Sequence, residues 1–308
     1  MERINSLINA PFTAFHPDGS LNLTLVPSYI QTLINSGIAG VFINGSSGEG
    51  HLLTEEERMI CAEKWVESAP ANFKVIVHVG SNSINASKKL AQHAAQIGAW
   101  GFSAMGPTFP KINRVNELAD YCAEIAAAAP TLPFYYYHIP AFTGVYTSMV
   151  ELLKAVDGRI DNFSGIKYTY ESLYEYTQCR RYSNGKYDVL HGQDETLLPS
   201  LAFGGAQGCI GGTFNYAAGL YTQIRAAFSE GDFDKAQQLQ YQSLDLIDVI
   251  CRYRGNIVAG KQIMKLIGLD LGPNRTPFQN LSPVELASMK QELESIGFFS
   301  YANEVSHL

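Results

Sequence analysis

Short β-prone runs alternate with helical stretches along the first three quarters of this chain. No other feature constrains its fold as much, because strands that each feed a covering helix build a parallel sheet. Strand candidates fall at residues 6–10, 40–44, 74–79, 101–105, 134–139, 163–169, 188–191 and 208–210. Eight such units predict a closed (β/α)8 barrel of the α/β class, the TIM barrel. The intervening helices carry the matching periodicity: Val26, Ile30, Leu33 and Ile34 form one apolar stripe, and Leu118, Tyr121, Cys122 and Ile125 form another. Thr54 and Glu57 have the spacing of a capping box, and Glu55-Glu56-Glu57 puts negative charge at the positive end of the helix that follows.

Beyond about residue 216 the strand signals stop, and helices are expected at 217–229, 233–252, 258–267 and 283–296. The 308 residues therefore divide into a barrel over 1–230 and a C-terminal helical appendage over 231–308 packed on it. A barrel of about 250 residues with an addition is ordinary at this length. The sequence shows no internal repeat and no low-complexity linker.

The net charge is −7, which argues against nucleic acid or an anionic membrane as a partner, since both select basic patches. The five cysteines are scattered, odd in number and without a C-x-x-C pair, as expected of a reducing compartment. The N-terminus lacks the apolar core of a signal peptide, and prolines 130, 133 and 140 with His138 break the longest weakly polar run, so no membrane span is expected. These features together predict a cytoplasmic location. No H-x-H or H-E-x-x-H spacing suggests a metal, and His78, His138 and His191 read as packed or hydrogen-bonded side chains.

Lys167 lies in the apolar strand candidate 163–169. Burial there disfavours the ammonium and lowers its pKa, and a neutral amine attacks carbonyls to form a Schiff base. The plainer alternative is a lysine that snorkels out at a strand end. The loop Gly45-Ser46-Ser47-Gly48-Glu49-Gly50 follows the second strand candidate, on the face where barrel active sites are built. Its hydroxyls and amides suit a carboxylate, although a tight turn would use the same glycines. In Phe134-Tyr135-Tyr136-Tyr137-His138, alternation sends Tyr135 and Tyr137 to one face and Tyr136 to the other, for proton transfer or for packing. Asp194 and Glu195 follow the seventh strand candidate, where they suit either substrate hydroxyls or a helix N-terminus.

Gly45-Ser46-Ser47-Gly48-Glu49, Tyr137-His138-Ile139-Pro140 and Gly165-Ile166-Lys167, in this order and spacing, resemble the N-acetylneuraminate lyase and dihydrodipicolinate synthase family of class I aldolases. The likeness spans nearly the whole chain, and the run from Tyr135 to Gly144 looks like the sialic acid lyase branch. The resemblance implies that Lys167 forms the Schiff base and Tyr137 shuttles the proton. It implies that Ser46 and Ser47 hold the substrate carboxylate, and that Thr169, Gly192, Asp194, Glu195 and Gly212 hold the sugar tail. It further implies no cofactor, a homotetramer, and reversible cleavage of sialic acid into N-acetylmannosamine and pyruvate.

Synthases of this family place an arginine where this chain has Phe142, and an apolar ring cannot pair with a second carboxylate. They also borrow a tyrosine from a neighbouring subunit near the position of Phe109, which points the same way. Two departures bear on substrate choice. Many lyases carry a serine where Gly212 stands, and Gln193 replaces an aromatic or small residue, so another 2-oxo sugar acid remains an alternative substrate, with dihydrodipicolinate synthesis a more distant one.

Overall fold

The computed structural model describes residues 2–306. Its centre is a closed barrel of parallel strands in sequence order: β1 (Leu7–Asn9), β2 (Gly40–Ile43), β3 (Lys74–His78), β4 (Gly101–Met105), β5 (Phe134–His138), β6 (Phe163–Tyr168), β7 (Asp188–His191) and β8 (Cys209–Gly211), with β8 returning to β1. These strands lie where the alternation of the sequence puts them.

Period-two alternation sorts their side chains into two layers. Ile8, Phe42, Ile76, Tyr135, Tyr137, Leu190 and Ile210 pack together inside the barrel. Val41, Ile43, Phe102, Phe134, Tyr136, Ile166 and Tyr168 face outward under the helices. One irregularity matters for chemistry. Between β5 and β6 the register shifts, with Phe134 opposite Phe163 but Tyr135 opposite Gly165. The extra residue, Ser164, reverses the phase of β6, so that Ile166 and Tyr168 face out, Lys167 faces in, and Lys167 lies opposite Tyr137. An unbulged pairing would set Ile166 there instead.

The covering helices begin with side-chain caps. Thr54 and Glu57 form the expected capping box on Glu55–Ser68, and Ser83, Ser148 and Ser172 cap later helices in the same position. The eighth barrel helix, Phe214–Glu230, starts three residues before the expected 217 and bends at Ala217 (φ −140°). The helix expected at 258–267 is divided into a π-helical turn, Asn256–Gly260, and a short α-helix, Lys261–Leu266. Gly255 (φ 78°) and the left-handed Arg254 (φ 70°) precede it and turn the chain sharply after Phe233–Arg252. Among the described residues no helix is long and apolar enough to cross a membrane.

Candidate active site

A cavity of about 1030 Å³ opens where the C-terminal ends of the strands meet the C-terminal helical segment. All nine residues singled out in the sequence line it: Ser46, Ser47, Tyr137, Lys167, Thr169, Gly192, Asp194, Glu195 and Gly212. They come from the ends of β2, β5, β6, β7 and β8, and barrel closure brings them together.

Lys167 stands at the centre of the floor and is 4% exposed. Its ammonium nitrogen lies 4.1 Å from the ring centroids of both Phe42 and Tyr137, and among the described residues it makes no salt bridge. Burial draws its pKa down to about 7, with the charge of Asp194 pulling weakly the other way. About half of such amines are neutral at pH 7. The neighbouring His78 adds no charge. Its Nε2 accepts from the Met105 N–H (3.3 Å), leaving the proton on Nδ1, 3.1 Å from the Asn44 carbonyl oxygen, and burial holds its pKa well below the ordinary range.

The Tyr137 phenol is 3.0 Å from Ser46 Oγ. Burial pushes it up to about 12, against the pull of the Ser46 and Thr169 hydroxyls, so it is a neutral phenol that both donates and accepts. Thr169 Oγ1 is buried beside the Tyr137 phenol, and among the described residues no other group meets it at hydrogen-bond distance. It fits only because residue 192 is glycine: a Cβ there would lie 2.1 Å from this oxygen. Asp194 Oδ2 accepts from the Thr213 N–H (2.9 Å) and Thr213 Oγ1 (2.7 Å), while burial raises its pKa. Burial raises Glu195 as well.

Two sets of contacts that sequence reading did not foresee hold this site in shape. Glu49 has a left-handed backbone (φ 53°), and its buried carboxylate accepts from Lys261 Nζ (2.9 Å), Asn274 Nδ2 (3.2 Å) and the Arg275 N–H (2.8 Å). The Ser46-Ser47 loop is thereby tied to the C-terminal segment. Gln240, on the helix Phe233–Arg252, donates to the carbonyl of Glu195 (3.2 Å) and accepts from the Leu198 N–H (2.8 Å), bracing the loop after β7. The clue to the first was a lysine inside the apolar stretch 258–264, the same kind of signal that marks Lys167. The buried glutamine carried no comparable clue.

Residues 3–296 match the dihydrodipicolinate synthetase family. The chain belongs to that family. Within it, the chain is 35% identical over 303 residues to the N-acetylneuraminate lyase of Mus musculus, covering 97% of this chain and 94% of the mouse protein. Among solved structures, the N-acetylneuraminate lyase of Proteus mirabilis superposes with a TM-score of 0.93 at 35% identity, over 96% of this chain and all of that one (100%). The N-acetylneuraminate lyase (sialic acid aldolase) of Aliivibrio salmonicida gives a TM-score of 0.93 at 38% identity, over 97% and 98% of the two chains. This member of the family has the eight-stranded barrel of those relatives, and its cavity is walled in part by its C-terminal segment through Ile247, Ile250, Cys251 and Asn256.

Proposed function

We propose that this protein is a Schiff-base aldolase that cleaves N-acetylneuraminate reversibly into N-acetylmannosamine and pyruvate without a cofactor. The observation that carries this reading is Lys167: a buried amine with no ion-pair partner among the described residues, its pKa drawn down to about 7, beside a neutral phenol on the adjoining strand. Ser46 and Ser47 hold the substrate carboxylate. The Lys167 amine adds to the C2 ketone, and loss of water gives an iminium. The C3–C4 bonding electrons then move into the iminium as the C4 hydroxyl loses its proton, releasing the aldehyde of N-acetylmannosamine. Tyr137 relays that proton, taking it from the hydroxyl while passing its own to the substrate carboxylate. Protonation of the enamine at C3 and hydrolysis return pyruvate and the free amine.

The wall supports a polyol rather than a second carboxylate. Phe142 lines it, half-exposed, and the one arginine on the lining, Arg254, is turned to Glu285 and to the carbonyls of Gln279 and Asn280. Thr169, Asp194 and Glu195 supply the acceptors and the donor that hydroxyl groups require. Pyruvate release from N-acetylneuraminate, with intact-mass analysis after borohydride reduction, tests the reading. Turnover with an adduct on Lys167 is the expected result. An adduct from added pyruvate without turnover would move the substrate to another 2-oxo sugar acid, and the absence of both would refute the Schiff base.

A further inference from the structure

We propose that Asn256 is a specificity-determining residue of this site, donating from its side-chain amide to the hydroxylated tail of the substrate, and that residue 212 is glycine to leave room for that amide. The inference rests on the aldolase reading above and names a contact that the reading does not contain.

Three observations converge on it. A Cβ at Gly212 would lie 2.4 Å from Asn256 Nδ2 and 3.4 Å from Ser47 Oγ, so the amide occupies the volume a side chain at 212 would fill, on the same wall as the serine loop. The amide is also oriented. The Tyr216 hydroxyl donates to Asn256 Oδ1 (2.7 Å), and that oxygen sits over Gly260, where a Cβ would be 2.6 Å away. With the oxygen end engaged, the NH2 end is turned to the cavity, and among the described residues it has no hydrogen-bond acceptor. Finally, the backbone is bent to place this residue. Left-handed Arg254 and Gly255 lead into the π-helical turn that begins at Asn256. A non-glycine residue held left-handed is strained and persists where the surrounding structure requires it, and π-helical turns are frequent at functional sites.

Lys167 and Tyr137 rise from the barrel floor, whereas Asn256 belongs to the C-terminal segment that walls the mouth. A ligand joined to Lys167 by its keto-acid end therefore meets Asn256 with its far end. An amide N–H in that position donates to a hydroxyl oxygen or an acyl carbonyl, and a pyruvate unit alone does not reach it.

The test uses the condensation direction, where the two halves of the product are varied separately. KM for N-acetylmannosamine and KM for pyruvate are measured for the wild type, Asn256→Asp, Asn256→Ala, Gly212→Ala and the Asn256→Ala/Gly212→Ala double variant. Borohydride trapping of pyruvate on Lys167 is followed in each. Asn256→Asp keeps the acceptor for Tyr216 and replaces the donor with an anionic oxygen, whereas Asn256→Ala removes the donor without adding charge. Each is expected to raise KM for N-acetylmannosamine about tenfold, the worth of one hydrogen bond in a buried site, with KM for pyruvate and the trapping rate within about twofold of wild type. Gly212→Ala displaces the amide and is expected to do the same, and the double variant is expected to be no worse than Asn256→Ala, since both changes remove one contact. An unchanged KM for the sugar with normal trapping overturns the proposal, as does a rise in KM for pyruvate instead, or full additivity in the double variant. Failure of the wild type to trap pyruvate at Lys167 would remove the aldolase reading and this contact with it.

Discussion

Lys167 and Lys261 are buried almost equally, at 4% and 1% exposure, yet their surroundings are opposite. Lys261 Nζ meets Glu49 Oε1 at 2.9 Å and the Pro273 carbonyl at 2.8 Å, with its charge 4.3 Å from the Phe15 ring centroid. Lys167 has two aromatic rings in contact and, among the described residues, no carboxylate within ion-pair distance. Burial lowers both pKa values, but at Lys261 the carboxylate of Glu49 opposes the shift directly, whereas at Lys167 only Asp194 does so, without an ion pair. The difference teaches that burial alone does not make a nucleophile. A buried amine stays a cation when its counter-charge is built in, and becomes reactive when that counter-charge is withheld. One lysine fastens the C-terminal segment to the barrel, and the other is left poised.

The sharpest way to break this comparison is to remove each amine by a similar apolar chain. Lys167→Met is expected to lower kcat by at least ~10⁴-fold (about 5 kcal/mol) and to abolish the borohydride adduct, because no other amine replaces the nucleophile. Its melting temperature is expected to stay level or rise, since an unpaired buried amine costs desolvation that a thioether does not. A residual adduct in this variant would mean that another lysine carries the chemistry.

The pH dependence separates the two lysines without ambiguity of sign. Lys167 has a folded pKa near 7 against an ordinary 10.5, so between those values the unfolded chain binds the additional proton. Stability from this group therefore rises with pH from about 7 to about 10.5 and is flat outside that window, by roughly 5 kcal/mol in total. Denaturant titrations of wild type and Lys167→Met across that range check it: the difference between them is expected to narrow as pH rises. The rate of pyruvate trapping is expected to climb through pH 7 and then level. A trapping rate that climbs only near pH 10 would show that Lys167 titrates like an exposed lysine.

The contrast also marks what the sequence could reveal. The barrel strands were legible to within a residue or so because period-two burial and flanking turns repeat locally, and Lys167 stood out as a charge in such a strand. The register shift at Ser164, which turns Lys167 toward Tyr137, depends on the pairing of two strands and has no signature in β6 alone. Lys261 carries the same local signal as Lys167, but its partner is 212 residues away, so only the folded chain distinguishes a lysine tied by an ion pair from one left without. Asn256 was hidden because its placement follows from left-handed backbone at Arg254 and Gly255, after a helix whose amphipathic pattern gives no notice of the turn.

Lys261→Met attacks the tether. It leaves the Glu49 carboxylate buried without its cation and is expected to cost about 3–5 kcal/mol by denaturant unfolding. Adding Glu49→Gln in the same chain is expected to recover part of that loss, since no carboxylate is then left buried without its cation, while the single amide oxygen can accept from only one of Asn274 and Arg275, which meet different oxygens of Glu49. A single variant as stable as wild type would show that the pair contributes nothing and that the C-terminal segment is held by apolar packing alone.

Tyr137→Phe is the mildest of these changes and tests the phenol against the amine it faces. The ring remains, so the contact with Lys167 and the edge-on packing against Phe42 (5.3 Å between centroids) are retained. What goes is the hydroxyl, together with its bond to Ser46. A relay for one proton is worth about 10²-fold or more, so kcat for cleavage is expected to fall by at least ~10² (about 2.7 kcal/mol). Schiff-base formation with pyruvate needs no proton from a C4 hydroxyl, so borohydride is expected to trap the adduct at close to the wild-type extent. Loss of trapping in step with turnover would assign the phenol to the addition step instead. Full turnover would reduce Tyr137 to a packing residue and leave proton transfer to the substrate carboxylate and water.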